Sequence, residues 1–304
     1  MKKQIKWLLI VMALCLIGLG GFFGYRYYHS QTTQQVKWVQ RSQVKLVAIG
    51  DSLTYGQGDE TKNGGYVGII KNKIQNKYKK TKVTTINYGV SGDRSDQILA
   101  RINKQKQIRT DLKSANVITV TVGGNDLMQI LEKNALAGSE SQIKTSVNNG
   151  QKTYEKNLTK LFNAIRKENK TAPIFVLSIY NPVYTYFPNV TIINDSIDQW
   201  NQATKGITTK YSQMYFVDIN HLMSYGQYKT SEQRQKLIDN ATQTNQGKIS
   251  QTQVIKIMNN KDHNLNQYIS TEDNFHPNHS GYEQMANKLF KSMVKHNSWE
   301  FEKE

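Results

Sequence analysis

Five short stretches, 44–49, 82–87, 115–122, 173–179 and 213–218, are β-branched or apolar for most of their length and end near Gly, Asn or Asp. Around them, 66–79, 95–106, 125–136, 143–169, 194–210 and 281–295 follow helical spacing. This alternation leaves few folds open. Parallel strands need long crossovers, and the crossover helices must bury an apolar stripe against the sheet. The expectation is an α/β protein with three α/β/α layers around a five-stranded parallel sheet. A chain of 304 residues has room for one such domain and an appendage, and it carries no internal repeat.

The appendage is at the start. Met-Lys-Lys-Gln-Ile-Lys precedes an apolar run from Trp7 to Gly24, which sits at the length threshold for spanning a bilayer. Lysines before the run predict a cytoplasmic N-terminus, and Phe22, Phe23, Tyr25, Tyr27, Tyr28 and Arg26 suit an interfacial anchor. Residues 1–24 therefore read as a retained transmembrane anchor. A cleaved signal peptide is the alternative, because Trp7–Ile17 also has the length of an h-region. Either reading exports the rest of the chain. Residues 25–43, with a Gln/Thr patch at 31–35, read as a polar tether, and 44–296 as the folded domain. The single cysteine, Cys15, lies inside the apolar run, so the domain holds no disulfide and no thiol chemistry.

Composition narrows the partners. With 38% hydrophobic and 10% aromatic residues the chain builds a core, which excludes global disorder. Its net charge is +17, yet the lysines are scattered among Asn, Gln and Thr with no dense basic block. Nucleic acid is not the expected partner. A solvated basic surface is the plain reading; attraction to anionic headgroups or wall polymers is the sharper one.

Ligands of an open parallel sheet gather at the carboxyl ends of its strands. There the first strand runs into A-I-G-D-S-L-T at 48–54, which sets Ser52 just past a glycine. N-Y-G-V-S-G-D-R-S follows the second strand at 87–95, and V-G-G-N-D-L follows the third at 122–127. Near the end, D-N-F-H-P-N at 273–278 puts Asp273 three residues before His276, close enough for a carboxylate to orient an imidazole. A serine hydroxyl is inert until a base takes its proton, so Ser, His and Asp together describe an acyl-transfer nucleophile.

The four blocks, in this order, resemble those of the SGNH (GDSL-type) hydrolase family over about 43–294. I-Y-N-P at 179–182 and F-H-P-N-H-S-G-Y at 275–282 are similar to its lysophospholipase-like bacterial branch. The resemblance implies a flavodoxin-like sheet and a serine esterase or lipase-like acylhydrolase working without cofactor or metal. It assigns Ser52 as nucleophile, His276 as base and Asp273 as the acid that fixes it. The oxyanion hole would be the backbone N–H groups of Ser52 and Gly92 with the side-chain amide of Asn125. Carboxylic esters of lipids or small acyl groups are the implied substrates, with O-acetylated wall glycans as the alternative. A non-catalytic wall-binding protein that keeps the fold is the rival from another class.

Other residues have plainer expected roles. Asp51 and Asp126 brace loops, Asp93 and Asp96 start a helix, and His279 caps or packs near the C-terminal helix. Asp273, His276 and His279 could together be read as metal ligands, but Pro277 and the four-block order favour an imidazole base. No G-x-S-x-G elbow, phosphate-binding loop or dinucleotide fingerprint occurs. Tyr180, Tyr184, Tyr186 and Phe187 could line an acyl pocket or pack an insertion against the domain. That insertion, 221–271, is rich in Gln, Asn, Lys and Thr, with weak helical spacing near 230–242 and 250–259. It reads either as a tolerated surface loop or as a cap over the site.

Overall fold

The computed structural model describes residues 2–32, 37–135, 139–245 and 265–304. The chain divides into two compact units, Met1–Val39 with Glu302–Glu304, and Gln40–Phe301.

In the first unit, Lys2–Thr32 form one helix, α1. Its segment Ile5–Tyr27, of mean hydropathy 2.3, is long and apolar enough to cross a membrane. Residues 25–32 were expected to open the polar tether, but they continue the helix. Polarity alone does not end a helix, and this stretch has neither the Gly nor the Pro that would. The tether positions 33–36 lie outside the described residues. Beyond them Trp38–Gln40 (β1) pairs with the C-terminal strand Phe301–Lys303.

The second unit is built on a five-stranded sheet of β2 (Gln43–Gly50), β3 (Lys82–Gly89), β4 (Val117–Thr121), β5 (Ile174–Leu177) and β6 (Met214–Val217). Every pairing is parallel and the order is β3-β2-β4-β5-β6. Counted from the first sheet strand this is 2-1-3-4-5, the flavodoxin-like order, which reverses direction between β2 and β4. Gly50 is in register with Gly89, so β2 and β3 end side by side.

Strand periodicity sorts the core. Val44, Leu46 and Ala48 point to one face, packed under Ile70 and Ile74 of α3 (Gly65–Lys77) and Met285 and Leu289 of the C-terminal helix His279–Lys295. Val47 and Ile49 point to the other. They meet Ile98 and Ile102 of α4 (Ser95–Lys104), Leu158 and Phe162 of α7 (Glu140–Glu168) and Trp200 of α8 (Thr191–Thr208). The two faces together make the three layers.

The expected helix at 95–106 is followed by one not foreseen, α5 (Lys106–Lys113). Gln105, in extended conformation, separates them, and α5 adds buried Ile108 and Leu112 to the second core cluster. Within 221–271, a helix spans Ser231–Asn245. The spacing noted near 250–259 lies outside the described residues.

Candidate active site

The site forms where β2, β3 and β4 end. After β2 the chain turns at Asp51 into a one-turn helix, α2 (Ser52–Tyr55). The Asp51 side chain caps this turn by accepting from the Leu53 N–H at 3.0 Å, and it accepts from Thr121 Oγ1 at 2.6 Å. Burial pushes the Asp51 carboxyl up, against those two hydrogen bonds and the charge of His276. Thr121 Oγ1 continues through Thr54 Oγ1 (2.8 Å) to the Tyr66 hydroxyl (3.0 Å). Asp51 is thus a brace, as its position suggested. Gly50 has no alternative here: a Cβ would stand 2.3 Å from Thr121 Oγ1 and 2.5 Å from the Thr121 carbonyl oxygen.

Ser52 Oγ lies 2.9 Å from His276 Nε2, and His276 Nδ1 lies 2.5 Å from Asp273 Oδ2. A carboxylate can only accept, so Nδ1 carries the proton and Nε2 is free to accept from the serine hydroxyl. The other oxygen, Asp273 Oδ1, accepts from the Phe275 and His276 N–H groups, both at 2.9 Å. Burial alone would raise the Asp273 carboxyl. The hydrogen bonds from the His276 ring and backbone, the His276 charge and the Phe275 N–H outweigh it, so its pKa is held below the usual carboxylate value.

The loop carrying His276 is fixed from several sides. Its carbonyl accepts from the Ser270 N–H (2.8 Å), and Tyr180 OH donates to the Phe275 carbonyl (2.8 Å). The Asn278 side chain caps the C-terminal helix through the Gly281 N–H (2.9 Å), while its amide donates to the Gln267 carbonyl (2.9 Å). Gly58 backs the loop with φ +84, where a Cβ would meet the Pro277 carbonyl oxygen at 2.7 Å.

Gly92 occupies the third position of a turn closed by Asp93 N–H to the Val90 carbonyl (3.3 Å), with φ +82. A type II turn demands a positive φ there, which glycine supplies without strain. Asn125, at the start of α6 (Gly124–Ala135), donates one amide hydrogen to the Asp93 carbonyl at 2.9 Å, and its second has no acceptor among the described residues. The backbone N–H groups of Ser52 and Gly92 are unpaired among the described residues.

The remaining expected residues fall elsewhere. His279 does not join His276: its Nδ1 stands 3.2 Å from Asp59 Oδ1, and its N–H donates to Glu60 Oε2 (2.9 Å). Asp126 accepts from Ser95 N–H (2.9 Å) and Oγ (2.5 Å), joining α6 to α4. Asp96 sits in the first turn of α4, but Asp93 is held by Arg101 at 2.6 Å. Tyr180 is buried with its hydroxyl on the histidine loop, Tyr184 packs on Tyr225, and Phe187 packs with Val183 and Val190. Tyr186 is half-buried, and its hydroxyl accepts from the Leu265 N–H at 3.4 Å. Sequence reasoning missed Tyr180 as a brace, Asp59 and Arg101; only Asp59, in the Gly-rich turn after Ser52, left a local signal.

The model of the GDSL-like Lipase/Acylhydrolase family matches residues 48–284, and the chain belongs to that family. It is a hydrolase of the GDSL/SGNH class. Among its relatives is YpmR of Bacillus subtilis, an uncharacterized protein 29% identical over 84% of this chain and 83% of that one. The spore germination lipase LipC of Bacillus licheniformis is 28% identical over 67% of this chain and 91% of its own length. Among solved structures, the lipase Lip_vut3 from a goat rumen metagenome superposes with a TM-score of 0.60 at 24% identity, covering 82% of this chain and 97% of that one. A GDSL-like lipase from Parabacteroides merdae gives 0.51 at 15% identity over 84% and 97%. These two likenesses concern the fold.

Proposed function

We propose that the chain is an exported, membrane-anchored serine esterase that cleaves carboxylic esters through an acyl-enzyme on Ser52. The observation that carries this is the relay from Ser52 Oγ to His276 Nε2 at 2.9 Å and from His276 Nδ1 to Asp273 at 2.5 Å. In this mechanism His276 takes the serine proton as Oγ attacks the ester carbonyl. Asp273 holds the ring in the required tautomer and stabilises the imidazolium. The oxyanion forms against the N–H groups of Ser52 and Gly92 and the free amide hydrogen of Asn125. His276 then gives its proton to the leaving alkoxide, and water repeats the sequence to release the acid.

Lipid esters are the substrate class we favour. A lipase stands among the relatives, and an apolar helix near the start of the chain would hold the enzyme at a bilayer. Net charge +17 would add attraction to anionic headgroups or wall polymers. In this reading 1–24 anchor the chain and 44–296 form the hydrolase domain. The described C-terminal end of the 221–271 insertion borders the mouth, because Gln267 and Ser270 are tied to the histidine loop. Tyr184, Tyr186 and Phe187 would bound the acyl side.

The test is Ser52→Ala. Both ester turnover and covalent labelling by a fluorophosphonate should vanish; unchanged turnover rejects the reading. Rates rising with acyl length on p-nitrophenyl esters support lipid substrates, whereas a preference for acetyl points to O-acetylated glycans.

A further inference from the structure

We propose that Arg101 is a positioning residue of the oxyanion hole, acting by clamping the Gly92 turn to the end of β2. This rests on the site reading above and adds a residue outside all four sequence blocks.

Arg101 sits on α4, below the carboxyl edge of the sheet. Its guanidinium spends three separate nitrogens there. Nη2 donates to the Gly50 carbonyl (2.9 Å), Nη1 to the Tyr88 carbonyl (2.9 Å), and Nε to Asp93 Oδ2 (2.6 Å). Both partners of the ion pair are largely buried, at 16% and 13% side-chain exposure, so the contact is not a loose surface pair.

These three acceptors frame the turn that presents Gly92. At its first residue, Val90 N–H donates to the same Gly50 carbonyl at 3.0 Å. At its last, Asp93 is gripped by Arg101 through its side chain and by Asn125 through its carbonyl. Gly50 itself lies two residues before Ser52. One cation therefore fixes the distance between the strand end that carries the Ser52 amide and the turn that carries the Gly92 amide. Glycine at the third turn position is free to swing, and a Cβ built there meets nothing within 4 Å. With no side chain packed at that position, the amide is placed by the turn's own hydrogen bonds, which the clamp ties to the strand ends.

Preorganised donors stabilise an oxyanion because they need no reorientation as charge develops. Loosening the clamp should thus act on the chemical step and leave ground-state binding alone. Arginine suits the task because its planar fork reaches three acceptors at fixed angles; a lysine ammonium keeps the charge but not the geometry.

The experiment compares Arg101→Met, Arg101→Lys and Ser52→Ala in the full chain, with p-nitrophenyl acetate as substrate and thermal melts as the folding control. The expected result is a kcat fall of about 10²-fold in R101M, the scale of one lost oxyanion donor or of a 1 Å misplacement. KM should stay within about twofold, since the clamp acts through donors that gain strength only as the oxyanion forms. R101K should recover part of kcat, and a slower fluorophosphonate labelling rate should parallel kcat in both. If R101M melts below the assay temperature, R101K carries the same test. Wild-type kcat in a folded R101M or R101K overturns the proposal, as does a loss confined to KM. Turnover surviving in S52A would instead reject the underlying site, so the two failures are told apart.

Discussion

The two edges of the sheet use the same kinds of side chain to opposite ends. At the amino edge, Asn169 is almost fully buried and completely engaged. Its amide donates to the Leu112 and Ala115 carbonyls (2.8 and 2.9 Å), and its oxygen accepts from the Thr171 and Ala172 N–H groups (3.2 and 2.9 Å). Nearby, Lys45 donates to Asp111 at 2.7 Å, and Asn116 exchanges hydrogen bonds with the Lys45 backbone. At the carboxyl edge, Asn125 keeps a hydrogen in reserve, and the Ser52 and Gly92 amides have no partner among the described residues. Of these donors only Ser52 is buried, while Gly92 is exposed and Asn125 half-buried, so the cluster stands open to an incoming substrate and is poised to receive a developing charge. The contrast predicts that substitutions at one edge cost activity and at the other cost stability.

Asp273→Asn should show the largest effect. The Phe275 and His276 N–H groups require an acceptor at the Oδ1 position, so the new amide must turn its NH₂ toward His276 Nδ1. The ring then carries its proton on Nε2 and cannot take one from Ser52. Loss of that tautomer lowers kcat by about 10⁴-fold in the serine-protease precedent. Steady-state turnover checks it, with a melting temperature near wild type separating chemistry from folding. Next comes Asn125→Ala, which removes one donor and should cost about 10²–10³ in kcat, about 2.7–4 kcal/mol. Activity within threefold of wild type would remove Asn125 from the oxyanion site.

The carboxyl edge was the more legible of the two. The sheet could be read because its strands are short apolar, β-branched runs such as Val44–Ile49, and because glycines such as Gly50 and Gly92 mark its strand ends and turns. The Asp273–His276 spacing also lies in one local stretch, so its geometry follows from chain connectivity. Arg101 and Tyr180 could not be read this way. Apart from the Asp93 carboxylate, their partners are the backbone carbonyls of Gly50, Tyr88 and Phe275, which carry no residue-type signature and come together only through topology. The α4–α5 break escaped for a related reason: Gln105 is neither Gly nor Pro, and only its extended backbone marks the boundary.

At the amino edge, Asn169→Ala should leave the Ala115 carbonyl and the Thr171 and Ala172 N–H groups short of partners, while the Leu112 carbonyl keeps the Ala115 N–H. The substitution should destabilise the fold by ~1–3 kcal/mol, the cost of leaving buried groups unsatisfied. Urea unfolding measures this, and kcat of the folded fraction should match wild type. A kcat loss comparable to that of Asn125→Ala would break the division between the edges.

The smallest effect on activity should be that of Asp111→Asn, visible as a lower urea midpoint near neutral pH and a weaker loss of stability on acidification. Burial would raise this carboxyl, but hydrogen bonds from Lys45, Tyr88 and Gln107, with the Lys45 charge, bring its pKa down to about 2. In the unfolded chain an aspartate titrates near ~3.9. Between these values the unfolded state binds more protons than the folded one, so stability rises with pH across that window. The contribution is complete above the unfolded value and is lost as pH falls through about 2. Asp111→Asn removes that contribution, so its urea midpoint should fall less than the wild type's between pH 5 and pH 2, taken as roughly bracketing the window. The residual slope belongs to other depressed carboxylates, Asp59 and Asp273 among them. Equal slopes in the two proteins would mean that the Lys45–Asp111 pair is no better formed in the folded state than in the unfolded one. A pair that closes the amino edge cannot behave that way, because Lys45 and Asp111 lie on β2 and α5 and meet only when the sheet has formed.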